Sequence, residues 1–206
     1  MRLPRYRLHP VAPSVAGLPG PKALLRSCKL CRWLGAVAKP QQSATEISAA
    51  RSKNLGFGKA NNIGIKYALE NGANYVFLLN QDAWVDSSVI KDLISIHHQN
   101  SEYGVLSPIH LNGRGTSLDT NFAVGCSPVT CPGFLSDLYT GNITSLYSIH
   151  FVMAAIWLIP REVFYKVGLF DPLFPHYGED VDYLQRIRFF GFKIGICPHL
   201  RGYHDR

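Results

Sequence analysis

The stretch YVFLLNQDAWV, residues 75–85, runs five apolar residues directly into Asn80-Gln81-Asp82. A short apolar run that ends in turn-forming residues reads as a buried strand. Polar groups gathered at the end of such a strand need partners, because burying them unpaired is costly. Upstream, GFGKANNIGIKYALENG (56–72) sets Ala60, Ile63, Gly64, Tyr67 and Ala68 at helical spacing, and Asn71-Gly72 supplies a stop. Downstream, Asp86 and Ser87 offer caps for a helix whose stripe is Ile90, Leu93, Ile94 and His97, and GVLSPI (104–109) reads as the next strand. Helix, strand, helix, strand at this spacing predicts an α/β fold with a mostly parallel sheet flanked by helices.

The later segments extend the same pattern. Residues 111–147, rich in Gly, Ser, Thr and Asn, read as loops with one hairpin. FVMAAIWLIP (151–160) returns to the core, and Pro160 suits the first turn of a helix over PREVFYKVG. LFDPLFPHYG reads as a loop, EDVDYLQRIRFFG as a helix, and FKIGIC as a last strand.

Composition narrows the function classes. The chain has 206 residues, 47% hydrophobic and 17% charged, enough for one domain with a sizeable core. Its net charge of +7 comes from the leader: residues 1–45 carry eight Lys/Arg and no acid, whereas 46–206 are near neutral. A basic patch without a folded module or interleaved aromatics argues against nucleic acid as a partner. Five irregularly spaced cysteines point to a reducing compartment rather than a disulfide scaffold. Cys28-Lys-Leu-Cys31 is a lone CxxC, short of the four ligands of a structural zinc. No apolar run reaches the ~18–20 residues that span a bilayer. The leader is Arg-rich like a transit peptide, yet its prolines leave no clean amphipathic period. LLRSCKLCRWLGAVA within it could form a short helix, and no strand is evident before about residue 50.

Three places could carry chemistry. Ligands of open α/β sheets sit outside the carboxyl ends of the strands, which is where Asp82 falls. There a carboxylate binds a divalent cation bridging phosphate oxygens, or simply satisfies loop N–H groups. The Gly56-Phe57-Gly58 turn opening a helix favours an anion, or serves only as a tight turn; Asn61 and Asn62 just inside it are poor helix formers that need another reason. Glu179, Asp180 and Asp182 share the first turn of a helix, where acids favour the dipole but one could also act as general base. His204, after the last strand, and His97, His98 and His110 carry no signal alone.

Taken in order, NLGFGKANNIG (54–64), FLLNQDAWV, IPREVFYKVGLFD, HYGEDVDYLQRIRFFGF (176–192) and His204 resemble glycosyltransferase family 2, within its rhamnosyltransferase-like branch, from about residue 50 to 206. The resemblance implies a GT-A-type, Rossmann-like fold and inverting transfer from a nucleotide-diphosphate sugar to an acceptor hydroxyl of a cell-surface glycan or glycolipid. Asp82 matches the last acid of the family's D-x-D motif, whose first position is Asn80 here, and would ligate Mg²⁺ or Mn²⁺. Asp180 matches the general base, Glu179 the neighbour that touches acceptor, and His204 a histidine that reaches the metal or diphosphate. Gly56, Asn61, Asn62 and Asn80 fall on the substrate-binding side. Such enzymes work on the cytoplasmic side of the membrane, often peripherally attached.

The family's opening strand and its Val-Asp-Asn-x-Ser-x-Asp signature are not found in residues 1–53. The expectation is therefore an atypical, disordered basic leader over 1–45 and a partial transferase domain over 46–206, lacking the usual first βαβ unit. The leader is either a wrongly started translation or a divergent segment that binds a partner or membrane surface. The domain is then either an active transferase or a non-catalytic remnant of one.

Overall fold

A computed structural model describes residues 23–27, 34–37, 45–47, 55–174 and 177–205, the first three stretches as backbone strands. Cys28, Cys31 and most of the leader lie outside the described residues. The strands are β1 (Ala23–Ser27), β2 (Leu34–Val37), β3 (Thr45–Ile47), β4 (Tyr75–Asn80), β5 (Ala83–Val85), β6 (Tyr103–Asn112), β7 (Tyr147–Ser148), β8 (Ile156–Pro160) and β9 (Lys193–His204). They form one sheet in the order β3-β2-β1-β4-β8-β6-β9-β5, with β7 alongside β9. The helices are α1 (Phe57–Glu70), α2 (Val89–Gln99), α3 (Thr120–Gly125), α4 (Phe134–Thr140), α5 (Arg161–Val167) and α6 (Glu179–Phe189).

The α/β class is as expected, but the sheet is mixed. Among the described residues only β1–β4 and β6–β9 pair in parallel; β8 runs antiparallel between β4 and β6. The reason lies in the 113–155 connection, which holds only the short helices α3 and α4 and the short strand β7. Parallel return needs a crossover to the opposite end of the sheet, usually by a helix. Without one, β8 re-enters from the edge where β6 ended and must run the other way. Residues 111–147, expected as loops with a hairpin, contain the hairpin (Leu111 opposite Leu118) but also α3 and α4.

The leader departs further from expectation. The described residues of LLRSCKLCRWLGAVA are strand and not helix: Ala23–Ser27 and Leu34–Val37 are antiparallel, and β1 lies parallel to β4 from Ala23↔Val76 to Ser27↔Asn80. The flank of β4 that lacked a βαβ partner in the sequence is filled by β1, with α1 as the crossover and the β2–β3 ribbon inserted before it. Local propensity missed this because pairing with β4, some 50 residues away, selects the extended conformation.

The core follows the strand patterns. Val76, Phe77, Leu78 and Leu79 are buried in β4, and all of β8 is buried. The stripe of α1 keeps Ala60, Gly64 and Ala68 of the expected face but takes Asn61 and Ile65 in place of Ile63 and Tyr67. Asn61, Gly64, Ile65 and Ala68 face the core, while Tyr67 is 40% exposed. This is a regular i, i+3, i+4, i+7 face whose first position is polar, which hides it from the apolar pattern of the sequence. In α2 the expected Ile90, Leu93 and His97 are buried. His97 takes Tyr75 Oη at 2.9 Å on Nδ1, and burial lowers its pKa: a core histidine.

Directions around the sheet locate the site. Strands β1, β4, β6 and β9 all run the same way, so their carboxyl ends share one edge at Ser27, Asn80, Asn112 and His204. β8 starts at that edge, immediately after Met153-Ala154-Ala155.

Candidate active site

Asp82 stands in the two-residue turn between β4 and β5, past the carboxyl end of β4. Strand β9 does not stop at Cys197, where FKIGIC suggested. Its register against β6 jumps from Pro108↔Cys197 to Ile109↔Arg201, and the strand resumes to pair Ala83↔His204 with β5. Pro198 disguised the continuation, since proline in a strand belongs at an edge or a bulge. The main chain then ties the two ends together, because Asp205 N–H donates to the Asp82 carbonyl at 2.8 Å. Trp84 stacks on Tyr203, with ring centroids 5.5 Å apart, and braces the same ribbon.

This register sets His204 Nε2 3.3 Å from Asp82 Oδ1. On the far side of the ring, His204 Nδ1 is 3.5 Å from Asp119 Oδ2, and the His204 and Asp119 side chains are 3% and 5% exposed. Asp119 Oδ1 meanwhile accepts the N–H groups of Asn121 and Phe122 at 2.9 and 3.1 Å, capping α3. Sequence reasoning missed Asp119. Its one local signal, Asp before Thr-Asn-Phe, reads as a helix cap and nothing more.

The acids of α6 separate into different jobs. Tyr177 and Gly178 both adopt left-handed backbone (φ 64 and 90), turning the chain sharply into the helix. A tyrosine held there is the kind of local strain that clusters at functional sites. Asp180 is half-buried; its Oδ1 accepts the Val181 N–H at 2.8 Å. Burial raises its carboxyl above the usual range, opposed by backbone N–H groups that include that of Ala154. Ala154 adjoins Ala155, whose carbonyl accepts the Asn80 N–H at 2.8 Å, so Asp180 and the end of β4 meet the same short segment. Glu179 is buried. Asp182 is structural: it holds Arg186 at 2.8 Å, and the guanidinium also donates to the carbonyls of Val167 and Leu169.

The turn opening α1 abuts α6. Gly56 has φ 75, which only glycine adopts without strain. A Cβ on Gly58 would lie 3.2 Å from Phe170 Cβ and 3.7 Å from Glu179 Cβ. Asn62 brackets the Phe170 backbone, donating to its carbonyl at 2.7 Å and accepting its N–H at 2.9 Å. Asn61 is fully buried, donating to the Phe57 carbonyl at 3.0 Å. Asn62 thus has structural partners that explain its place in the helix, whereas Asn61 Oδ1 is buried without a hydrogen-bond partner among the described residues.

Other candidates carry no chemistry. Among the described residues, Cys126, Cys131 and Cys197 are buried free thiols, pushed up by burial to about 12, about 11 and about 12. His110 bonds the Ser107 hydroxyl at 2.8 Å inside the core. Among the described residues no three His, Cys, Asp or Glu side chains converge as a complete metal cage, and no helix is long and apolar enough to cross a membrane. One carboxylate and one imidazole still fit a cation such as Mg²⁺ or Mn²⁺, which commonly binds through one or two protein ligands plus substrate phosphates. The geometry supports that fit. Asp82 Oδ1 and His204 Nε2, 3.3 Å apart, are spaced as two neighbouring ligand atoms of one such cation would be.

The glycosyl transferase family 2 model matches residues 47–168, from the end of β3 to the turn after α5. Glu179, Asp180 and His204 lie beyond the matched segment. A low-salt glycan biosynthesis hexosyltransferase, Agl10 of Haloferax volcanii, is 27% identical over 154 residues, covering 74% of this chain and 50% of that protein. The dTDP-rhamnosyl transferase RfbF of Shigella flexneri is 25% identical over 153 residues, covering 74% and 49%. The chain thus spans about half the length of the curated relatives it matches. The fold is shared with GalNAc-T7, solved with UDP, GalNAc and Mn²⁺ (TM-score 0.56, 16% identity, 76% of this chain and 31% of that one). It is shared also with S. aureus TarS (TM-score 0.53, 14% identity, 76% and 25%). With the match covering more than half of its length and the GT-A-like sheet beneath it, the chain belongs to glycosyltransferase family 2.

Proposed function

We propose that this chain transfers a hexosyl group, with inversion, from a nucleotide-diphosphate sugar to an acceptor hydroxyl of a cell-surface glycan or glycolipid. The observation that carries this is the meeting of Asp82 and His204 at the carboxyl edge of the sheet, with Asp180 reaching the adjoining Ala154 segment. The names of the two curated relatives favour a hexose donor, with a dTDP-rhamnose-type sugar as the finer reading. Acceptors of this kind are met by peripheral association with the cytoplasmic face of a membrane.

Asp82 and His204 would hold a divalent cation together with the donor's diphosphate. When bound, the cation stabilises the charge that develops on the departing diphosphate. Asp180 takes the proton of the acceptor hydroxyl, and its raised pKa brings it nearer the range where a general base is effective. Glu179, next to it, lies against the first turn of α1 and orients the acceptor. Gly56 and Asn80 line the approach to the donor. Asn61 and Asn62 act at one remove, by fixing α1 and the Phe170 segment against which α6 packs.

Thermal unfolding with UDP or dTDP and Mn²⁺ tests the reading. A nucleotide–metal pair at 100 times its Kd adds about 2.7 kcal/mol. For a domain of this size that is a shift of roughly 5–10 °C. Asp82→Ala should abolish the shift. No shift with UDP, dTDP or GDP, and no nucleoside diphosphate released from the matching sugar donors, would sink the proposal.

A further inference from the structure

We propose that Asp119 is the positioning residue of His204, holding the imidazole by its Nδ1 so that Nε2 is the nitrogen offered to a cation beside Asp82. This rests on the reading of Asp82 and His204 as cation ligands.

Both partners are almost fully enclosed, so their interaction is poorly screened by solvent. Asp119 is also held rigidly. Its N–H donates to the His110 carbonyl at 2.9 Å, and Oδ1 takes the two N–H groups at the start of α3 while Oδ2 faces the imidazole. Behind it, Phe122 stacks on His110, with ring centroids 4.9 Å apart, and His110 is tied through Ser107 to the Ile156 carbonyl at the start of β8. Asp119 therefore has little freedom to move toward the ring or away from it.

On the other partner, the β5 pairing fixes the His204 main chain, leaving ring rotation and tautomer as the open variables. A carboxylate accepts and does not donate, so the ring nitrogen facing Asp119 is stable only with a proton on it. The remaining nitrogen, 3.3 Å from Asp82, is then the one left on the side where the cation would bind. The 3.5 Å contact is of ion-pair length, a looseness common before a site closes on its ligand. Carboxylates behind metal-binding histidines fix tautomer and ring orientation, and losing one typically weakens metal binding about 10–100-fold.

Asp119→Asn and Asp119→Ser, made in the full chain, test this. Each keeps a side-chain oxygen for the α3 cap, so circular dichroism and unfolding temperature should stay close to the parent. Asn can turn its N–H₂ toward Nδ1 and favour the opposite tautomer; Ser is too short to reach the ring. The first readout is the ¹⁵N spectrum of imidazole-labelled protein without metal, with the His204 signals identified by their loss in His204→Ala. The expected result is a protonated Nδ1 in the parent and a changed pattern in both variants. The second is Mn²⁺ affinity in the presence of UDP or dTDP, by the electron paramagnetic resonance of free Mn²⁺. The variants should bind Mn²⁺ about 10–100-fold more weakly, raising the Mn²⁺ needed for half-maximal rate more than they lower the rate at saturating Mn²⁺. A parent with no proton on Nδ1, or folded variants that bind Mn²⁺ within twofold of the parent, would overturn the role of Asp119 alone. A parent that binds no Mn²⁺ with either nucleotide, or a His204→Ala variant that binds it as tightly as the parent, would overturn the ligand reading and this inference together.

Discussion

At Asp180, burial and backbone N–H groups pull the carboxyl in opposite directions, and burial prevails. With its folded value raised, the native chain holds this proton more tightly than the unfolded chain does. Stability contributed by the group is therefore fullest in acid. It falls as pH rises from the ordinary carboxylate range through the raised value, and is level above that. A general base works in the opposite sense: kcat/KM should climb with pH through the same raised value. Asp180→Asn keeps an acceptor for the Val181 N–H and removes the penalised charge. It should lower turnover roughly 10²–10⁴-fold without lowering the unfolding temperature at pH 7. A large fall in that temperature would mean that Asp180 serves the fold instead. Asp82, Asp119 and His204 form the companion set, joined by side-chain contacts that come from three separate stretches of the chain.

Among the elements, the packing of α1 against α6 decides where the acids stand. Phe57 meets Phe170 edge-on at 5.6 Å, and Phe170 lies 4.5 Å from Tyr183 of α6. Tyr183 donates to the Gly168 carbonyl at 2.9 Å, while Arg186 holds the carbonyls of Val167 and Leu169. Asn62 completes the clamp from α1 by pairing both polar groups of Phe170. Asn62→Ala leaves that N–H and carbonyl without their partner and should cost about 1–3 kcal/mol, read as a lower denaturant midpoint at unchanged slope. Asn62→Asp keeps an acceptor for the N–H but sets an oxygen against the Phe170 carbonyl, so it should be at least as destabilising. If both variants unfold like the parent, Asn62 is not a clamp, and its place in the helix needs a ligand to explain it.

At the scale of the molecule, β1 covers the side of β4 that faces away from β8. Removing residues 1–47 would leave β4, with its buried Val76–Leu79 run, as an open edge. Such edges recruit other chains. The shortened protein should therefore aggregate or elute as a large species by size-exclusion chromatography, while a monodisperse, folded product would show that the leader strands are dispensable. Much was legible without coordinates: the β4 run, the helix that precedes it, the acid-rich start of α6, and Asp82 at a strand end all follow from short-range patterns. Periodicity reports which face an element buries, and side-chain type reports what a group can hold. What the sequence left open was every relation set by pairing across distance. The strands before residue 50, the β8 direction, the continuation of β9 past Pro198, and Asp119 behind His204 depend on partners far away in the chain. Local propensity carries no information about those partners. The residue types at the site were thus fixed by sequence, and their convergence was decided only when β9 paired with β5 and brought His204 between Asp82 and Asp119.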